Sequence, residues 1–237
     1  GAILSLPLLM LIGAPLEGNE IRSSRWFPDF RAAMKNPEVV RYVIAYAGNT
    51  WEVFAIRVWF IPFLAFSAGL HGDTASSLEP TVLAGISVLI SVPVNIFFSE
   101  LALRFGSEKI VRLVSLSSVC VGLILGWLAA GPYALVLILL LIHGATSFGD
   151  AGTINGGVVA ASTPDNRAAV LALFNLFGFV SGFLGPFAVG LALRSAGGQT
   201  DASAWFWAFA VMAAGSVVSA AAMRKRRRTL PTRRGSV

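Results

Sequence analysis

The chain has 237 residues, 56% of them hydrophobic and 13% charged, with a net charge of +6. Soluble domains carry about a quarter charged residues and alternate apolar with polar faces, whereas whole segments here are apolar all round. Composition thus excludes an ordinary soluble domain. The placement of the basic residues, given below, excludes a nucleic-acid-binding surface despite the pI near 10.2.

In chain order, residues 3–16 form an apolar run that reads as the end of a membrane helix entered before Gly1, which predicts that the sequence is a fragment. The run lacks the basic n-region of a signal peptide. A polar loop is expected over 17–37. Asn36-Pro37 then makes a helix start, because proline suits a first turn. Six full spans are predicted at about 38–69, 81–103, 110–130, 133–161, 167–193 and 204–223, and residues 224–237 form a basic tail. The first span exceeds the roughly 20 residues that cross a bilayer, so it tilts or projects. Pro62, Pro93 and Pro186 are expected to kink three of the spans. Cys120 is the single cysteine and sits in an apolar run, which predicts a packing role and no disulfide.

Lysine and arginine concentrate in cytoplasmic loops of membrane proteins. Five lie in or next to the segment before the first span, three at the 104–112 turn, Arg167 at the 162–167 turn and seven in the tail, so 16 of the 18 occupy one alternate side. Only Arg194 lies on the other side, and Arg57 is within a span. The expected arrangement has the tail in the cytoplasm, against anionic lipid headgroups.

The 143–190 stretch, HGATSFGDAGTINGGVVAASTPDNRAAVLALFNLFGFVSGFLGPFAVG, combines ionisable residues with glycines four apart, Gly152/Gly156 and Gly178/Gly182. Such spacing lets helix backbones approach closely in lipid. A carboxylate inside a span is expensive and marks a functional hypothesis. In the first span, Glu52 and Arg57 are five residues apart, about 140° around a helix, and so face different neighbours. His143 and Asp150 are seven apart and share a face, the spacing of a proton relay or of two separately satisfied polar groups. Asn49, Trp51, Asn95, Asn155 and Asn175 are polar candidates for either a solute path or helix joining, and Trp205 and Trp207 read as interface anchors. No catalytic, phosphate-loop or metal-ligand motif is present, so neither an enzyme activity nor a cofactor is expected.

Six spans, a basic loop before them and a basic tail resemble the C-terminal half of a major facilitator superfamily (MFS) transporter, spans 7 to 12 of a twelve-helix bundle, with residues 1–16 as the remnant of span 6. The run Ser99–Lys109, SELALRFGSEK, is similar to the family's G-x-L-A-D-R-x-G-R-R motif between spans 8 and 9, and Leu101, Ala102, Arg104 and Gly106 match. Leu103 replaces the motif's aspartate, leaving Arg104 to pair with Glu100 at i,i+4 spacing. The 143–190 stretch and YAGNTWEVFAIRVWFIPFLAF also resemble a bacterial subgroup that includes cyanate-transporter-like members. The resemblance implies an all-α membrane protein and secondary transport of a small solute or ion by alternating access, with proton coupling through Glu52 or Asp150. It implies the missing six-helix half as partner. A scaffold or receptor-like bundle is the rival reading, against which the intramembrane charges speak.

Overall fold

The structure is a computed structural model that describes residues 30–72 and 78–224. The predicted remnant at 1–16, most of the 17–37 loop and the tail from 225 lie outside the described residues. A short α1 (Phe30–Lys35) leads into α2 (Pro37–His71), followed by α3 (Pro80–Phe105), α4 (Ser107–Trp127), α5 (Tyr133–Gly149), α6 (Ala151–Ala161), α7 (Arg167–Ser195) and α8 (Ala202–Ala222). Taking α5 and α6 as one span, six helical segments among the described residues are long and apolar enough to cross a membrane.

The expected start of α2 is present. Asn36 caps it, its Oδ1 accepting from the Glu38 amide at 3.0 Å, and Pro37 takes the first turn. At 35 residues α2 is about 52 Å long, well beyond a hydrocarbon core of about 30 Å. Pro62, Pro93 and Pro186 all lie inside helices rather than ending them. Between α3 and α4 the chain reverses at Gly106, whose φ of 92° is open to glycine and strained for other residues. The expected Glu100–Arg104 pair does not form. Both side chains are exposed at the end of α3, with no ion pair between them. Arg41 instead ties this end together, donating to Glu108 Oε1 (2.7 Å), Glu38 Oε1 (3.1 Å) and the Ala222 carbonyl (3.0 Å).

Glycines bring α2 into contact with α7 and α8. Gly178 and Gly182 sit under the rings of Tyr46 and Phe54, and Gly185 meets the Trp51 backbone. Gly48 and Gly215 abut backbone to backbone between α2 and α8. In α6 the close approach falls to Gly152, against Asn95 and Ser99, and to Gly157, under Tyr42; Gly156 faces open space.

The span expected at 133–161 is present, with a one-residue irregularity at Asp150 that divides it into α5 and α6. Two expectations are corrected. Trp205 is no interface anchor: it is fully buried against Phe63, and its Nε1 donates to the Gln199 carbonyl at 2.9 Å, while Trp207 is exposed. Cys120 is exposed on α4 rather than packed inside.

Asp201 caps α8, its Oδ1 accepting from the Ser203 amide and hydroxyl, both at 2.8 Å. These bonds favour the ionised form and hold the Asp201 carboxyl below its ordinary value of 3.8. The cap's contribution is therefore complete above that value and fades as pH falls below it. Asp201→Ala should lower the thermal midpoint slightly at neutral pH and by less near pH 3, where part of the wild-type cap's contribution has gone; a pH series of melting curves checks this.

Candidate functional site

Among the described residues the buried side of the bundle has two large apolar cores and a small one at Ala102, Ile110 and Val114. One large core gathers Phe63, Leu125, Leu140, Trp205 and Phe209, and the other Tyr42, Val111, Val158, Phe174 and Met223. On α2, α4, α5 and α8 the positions between these cores are polar: Asn49 and Glu52, Ser115 and Ser118, His143 and Ser147, Ser216 and Ser219. Four helices thus contribute to one polar layer inside an apolar bundle. Each group within it needs a partner, because an unpaired polar group away from water costs several kcal/mol.

The layer supplies them for all of these side chains, with His143 Nε2 the one ring atom left over among them. Ser118 Oγ donates to Glu52 Oε1 at 3.1 Å, and Ser216 donates to Glu52 Oε2. Ser118 also lies 3.2 Å from Ser147 Oγ and 3.4 Å from His143 Nδ1. His143 Nε2 is 3.9 Å from Glu52 Oε1 and has no hydrogen-bond partner. Asn49 Nδ2 donates to the Ser147 carbonyl (2.9 Å) and to Asp150 Oδ1 (2.7 Å). Ser115 Oγ donates to Asp150 Oδ2 at 3.0 Å and lies 3.2 Å from Ser219 Oγ. Glu52 and Asp150 thus head two hydrogen-bonded groups that meet at Ser147, whose Oγ lies against Ser118 and whose carbonyl accepts from Asn49, without Lys or Arg at ion-pair distance from either carboxylate among the described residues.

Glu52 and Arg57 do face apart, as their spacing requires. Glu52 points into the layer, whereas Arg57 is exposed on the opposite side of α2. Its guanidinium lies 4.3 Å from the Phe148 ring centroid and 6.0 Å from that of Phe54. It opens into a groove of about 250 Å³ between α2, α3 and α5, lined also by Phe60, Ser87, Ser91 and Gly144. Among the described residues no carboxylate pairs with Arg57.

The structure brings Glu52, Asn49, His143 and Asp150 into one cluster and leaves Arg57 by itself in the groove. His143 has Glu52 rather than Asp150 as its acidic neighbour. Trp51 belongs to neither place, since its Nε1 donates to the Val211 carbonyl on α8 at 2.9 Å. Asn155 is exposed and bonds back to the Ala151 carbonyl, and Asn175 is exposed on α7. Asn95 joins helices, donating to the Phe148 carbonyl at 2.7 Å. The sequence reading overlooked the five serines of the layer. Their signal is spacing: Ser115/Ser118 and Ser216/Ser219 are each three apart, one helix face in an apolar run.

Comparison with known proteins bears on what this arrangement belongs to. The proline/betaine transporter of Salmonella typhimurium is 29% identical over 171 residues, covering 68% of this chain and 34% of that protein. The same figures describe the proline/betaine transporter of Escherichia coli K12 and the glycine betaine/proline/ectoine/pipecolic acid transporter of Dickeya dadantii. The matched stretch spans about a third of the length of these relatives. No solved structure gives a significant match. The family profile of the Major Facilitator Superfamily matches residues 42–236, which takes in five spans whole, all but the first turn or so of the other, and the polar layer. This multi-pass membrane protein belongs to the Major Facilitator Superfamily.

Proposed function

We propose that this chain is one six-helix half of a secondary active transporter that moves a small carboxylate-bearing solute by alternating access against a second half. The observation that carries the reading is Arg57, a cation with no acidic partner among the described residues, exposed in a groove within the longest span. An unpaired charge at such a place is a functional group by default, since a purely structural bundle gains nothing from it. Phe148 covers one face of the guanidinium, which leaves the in-plane N–H fork free for a carboxylate. The relatives are named for proline, betaine, ectoine and pipecolic acid, and none of these names is cyanate. A zwitterion would set its carboxylate on Arg57 and its cationic nitrogen against the aromatic rings of the groove. The groove is below the roughly 300–1,000 Å³ of a full ligand pocket, in keeping with a site completed by the other half.

On this reading the basic ends of the spans, and the tail, face the cytoplasm, and the protein resides in the plasma or inner membrane. Coupling to protons falls to the polar layer, with Glu52 or Asp150 as the group that binds the ion.

The test is uptake of radiolabelled proline and betaine into proteoliposomes holding the complete transporter. Arg57→Gln should raise KM about 10–100-fold, the range expected for losing a charge-assisted hydrogen bond. Arg57→Lys should recover part of the loss. Unchanged uptake kinetics in Arg57→Gln would remove Arg57 from the solute path.

A further inference from the structure

A groove apart from Arg57 and the polar layer lies at one end of the bundle. It has a volume of about 850 Å³ and lies where α3 ends and α4 begins, at the end of the bundle that carries most of the basic residues. Its outer wall is apolar: Leu101, Phe105, Leu113 and Leu116, with Phe105 57% and Leu113 54% exposed. Lys109 and Arg112, one turn apart on α4, stand at its rim. Among the described residues neither has a carboxylate at ion-pair distance. Lys109 rests over the Phe105 ring, 5.7 Å from its centroid. The one acidic side chain in the lining, Glu108, is held by Arg41 at 2.7 Å. The groove therefore combines two uncompensated cations with an apolar channel that continues along the exposed side of a membrane span.

The geometry points to an anionic phospholipid as the occupant, its headgroup phosphate between Lys109 and Arg112 and an acyl chain along Leu113 and Leu116. Two features favour a lipid over a soluble anion or a protein segment. The apolar wall runs up a membrane-spanning helix, where only lipid or another span lies alongside. The cations sit at its end, at the level where lipid phosphates lie. A zwitterionic lipid would satisfy the wall but leave the cations without a net counter-charge, so the site discriminates by headgroup charge. The proposal needs the protein in a membrane and does not need it to transport anything.

The experiment is native mass spectrometry of the complete protein released from detergent with phosphatidylglycerol or phosphatidylcholine. Wild type should retain phosphatidylglycerol in preference. Lys109→Gln should lower that preference about five-fold, and Lys109→Gln with Arg112→Gln about thirty-fold, from roughly one tenfold-per-1.4-kcal/mol conversion of the interfacial attraction per charge. Arg194→Gln, at the opposite end of the bundle, should leave it unchanged. An unaltered preference in the α4 double variant, or its loss in Arg194→Gln, would overturn the assignment. Wild type alone gives a second readout that depends on no variant. A photoactivatable phosphatidylglycerol should label peptides from 101–116, and labelling confined to other spans would equally overturn it.

Discussion

Gly48→Leu should prevent the bundle from assembling, with loss of a monodisperse peak in detergent. A Cβ at Gly48 would land on the Gly215 carbonyl and 2.9 Å from the Ser219 amide, both of them backbone atoms of α8. A Cβ at Gly215 meets the Gly48 carbonyl in turn. Backbone cannot rotate aside as a side chain can, so α2 and α8 would have to separate, and the polar layer between them would open. Even Gly48→Ala should cost about 1–3 kcal/mol, the usual range for overpacking. The neighbouring pair in α6 provides an internal control. Gly157→Ala drives a methyl into the Tyr42 ring, whereas Gly156→Ala enters open space and should be neutral or gain up to about 1 kcal/mol from helix propensity. Thermal unfolding followed by tryptophan fluorescence separates them. Equal midpoints for Gly48→Ala and Gly156→Ala would show that the α2–α8 contact is not tight.

The spans were legible because their signal is one-dimensional: apolar runs bounded by turns such as Gly106 and Gly131-Pro132 fix where helices start and stop. Facing was legible within one helix, and the 140° between Glu52 and Arg57 correctly sent them to opposite sides. Which helix each would meet was not, because packing order is set by contacts between distant segments. Hence His143 was matched with Asp150 on its own span instead of with Glu52 on α2. The interruption at Asp150 was hidden since the residues on either side keep an apolar helical character. The serines were hidden for another reason. Serine is a common small residue in membrane helices, and only its recurrence on one face, opposite a carboxylate from a different helix, separates a layer from ordinary packing. Trp205 misled because tryptophan favours interfaces in general, yet here the Gln199 carbonyl satisfies its N–H within the fold.

On the proposed reading with Glu52 as the coupling group, Glu52→Gln in the complete transporter should fold and lose the response to a pH gradient. The amide has the shape of the protonated carboxyl, and the hydroxyls of Ser118 and Ser216 can rotate to accept or donate as the new group requires. The thermal midpoint should shift by only a few degrees. Glu52→Ala is different in kind. It leaves two serines and His143 facing a void, and should cost about 2–5 kcal/mol. The titratable groups nearest Glu52 in the layer are His143, 3.9 Å away, and Asp150 on the far side of Ser147. Asp150→Asn is therefore the paired test, and it too can be accommodated. Its oxygen accepts from Asn49 and its amide donates to Ser115, which turns toward Ser219. With one proton moved per solute, each imposed pH unit supports about tenfold accumulation. If Glu52 carries that proton, Glu52→Gln falls to no accumulation while solute exchange continues, and Asp150→Asn retains the gradient response. The opposite result moves the proton to Asp150. Accumulation intact in both variants would mean that the layer holds the four helices together and couples nothing.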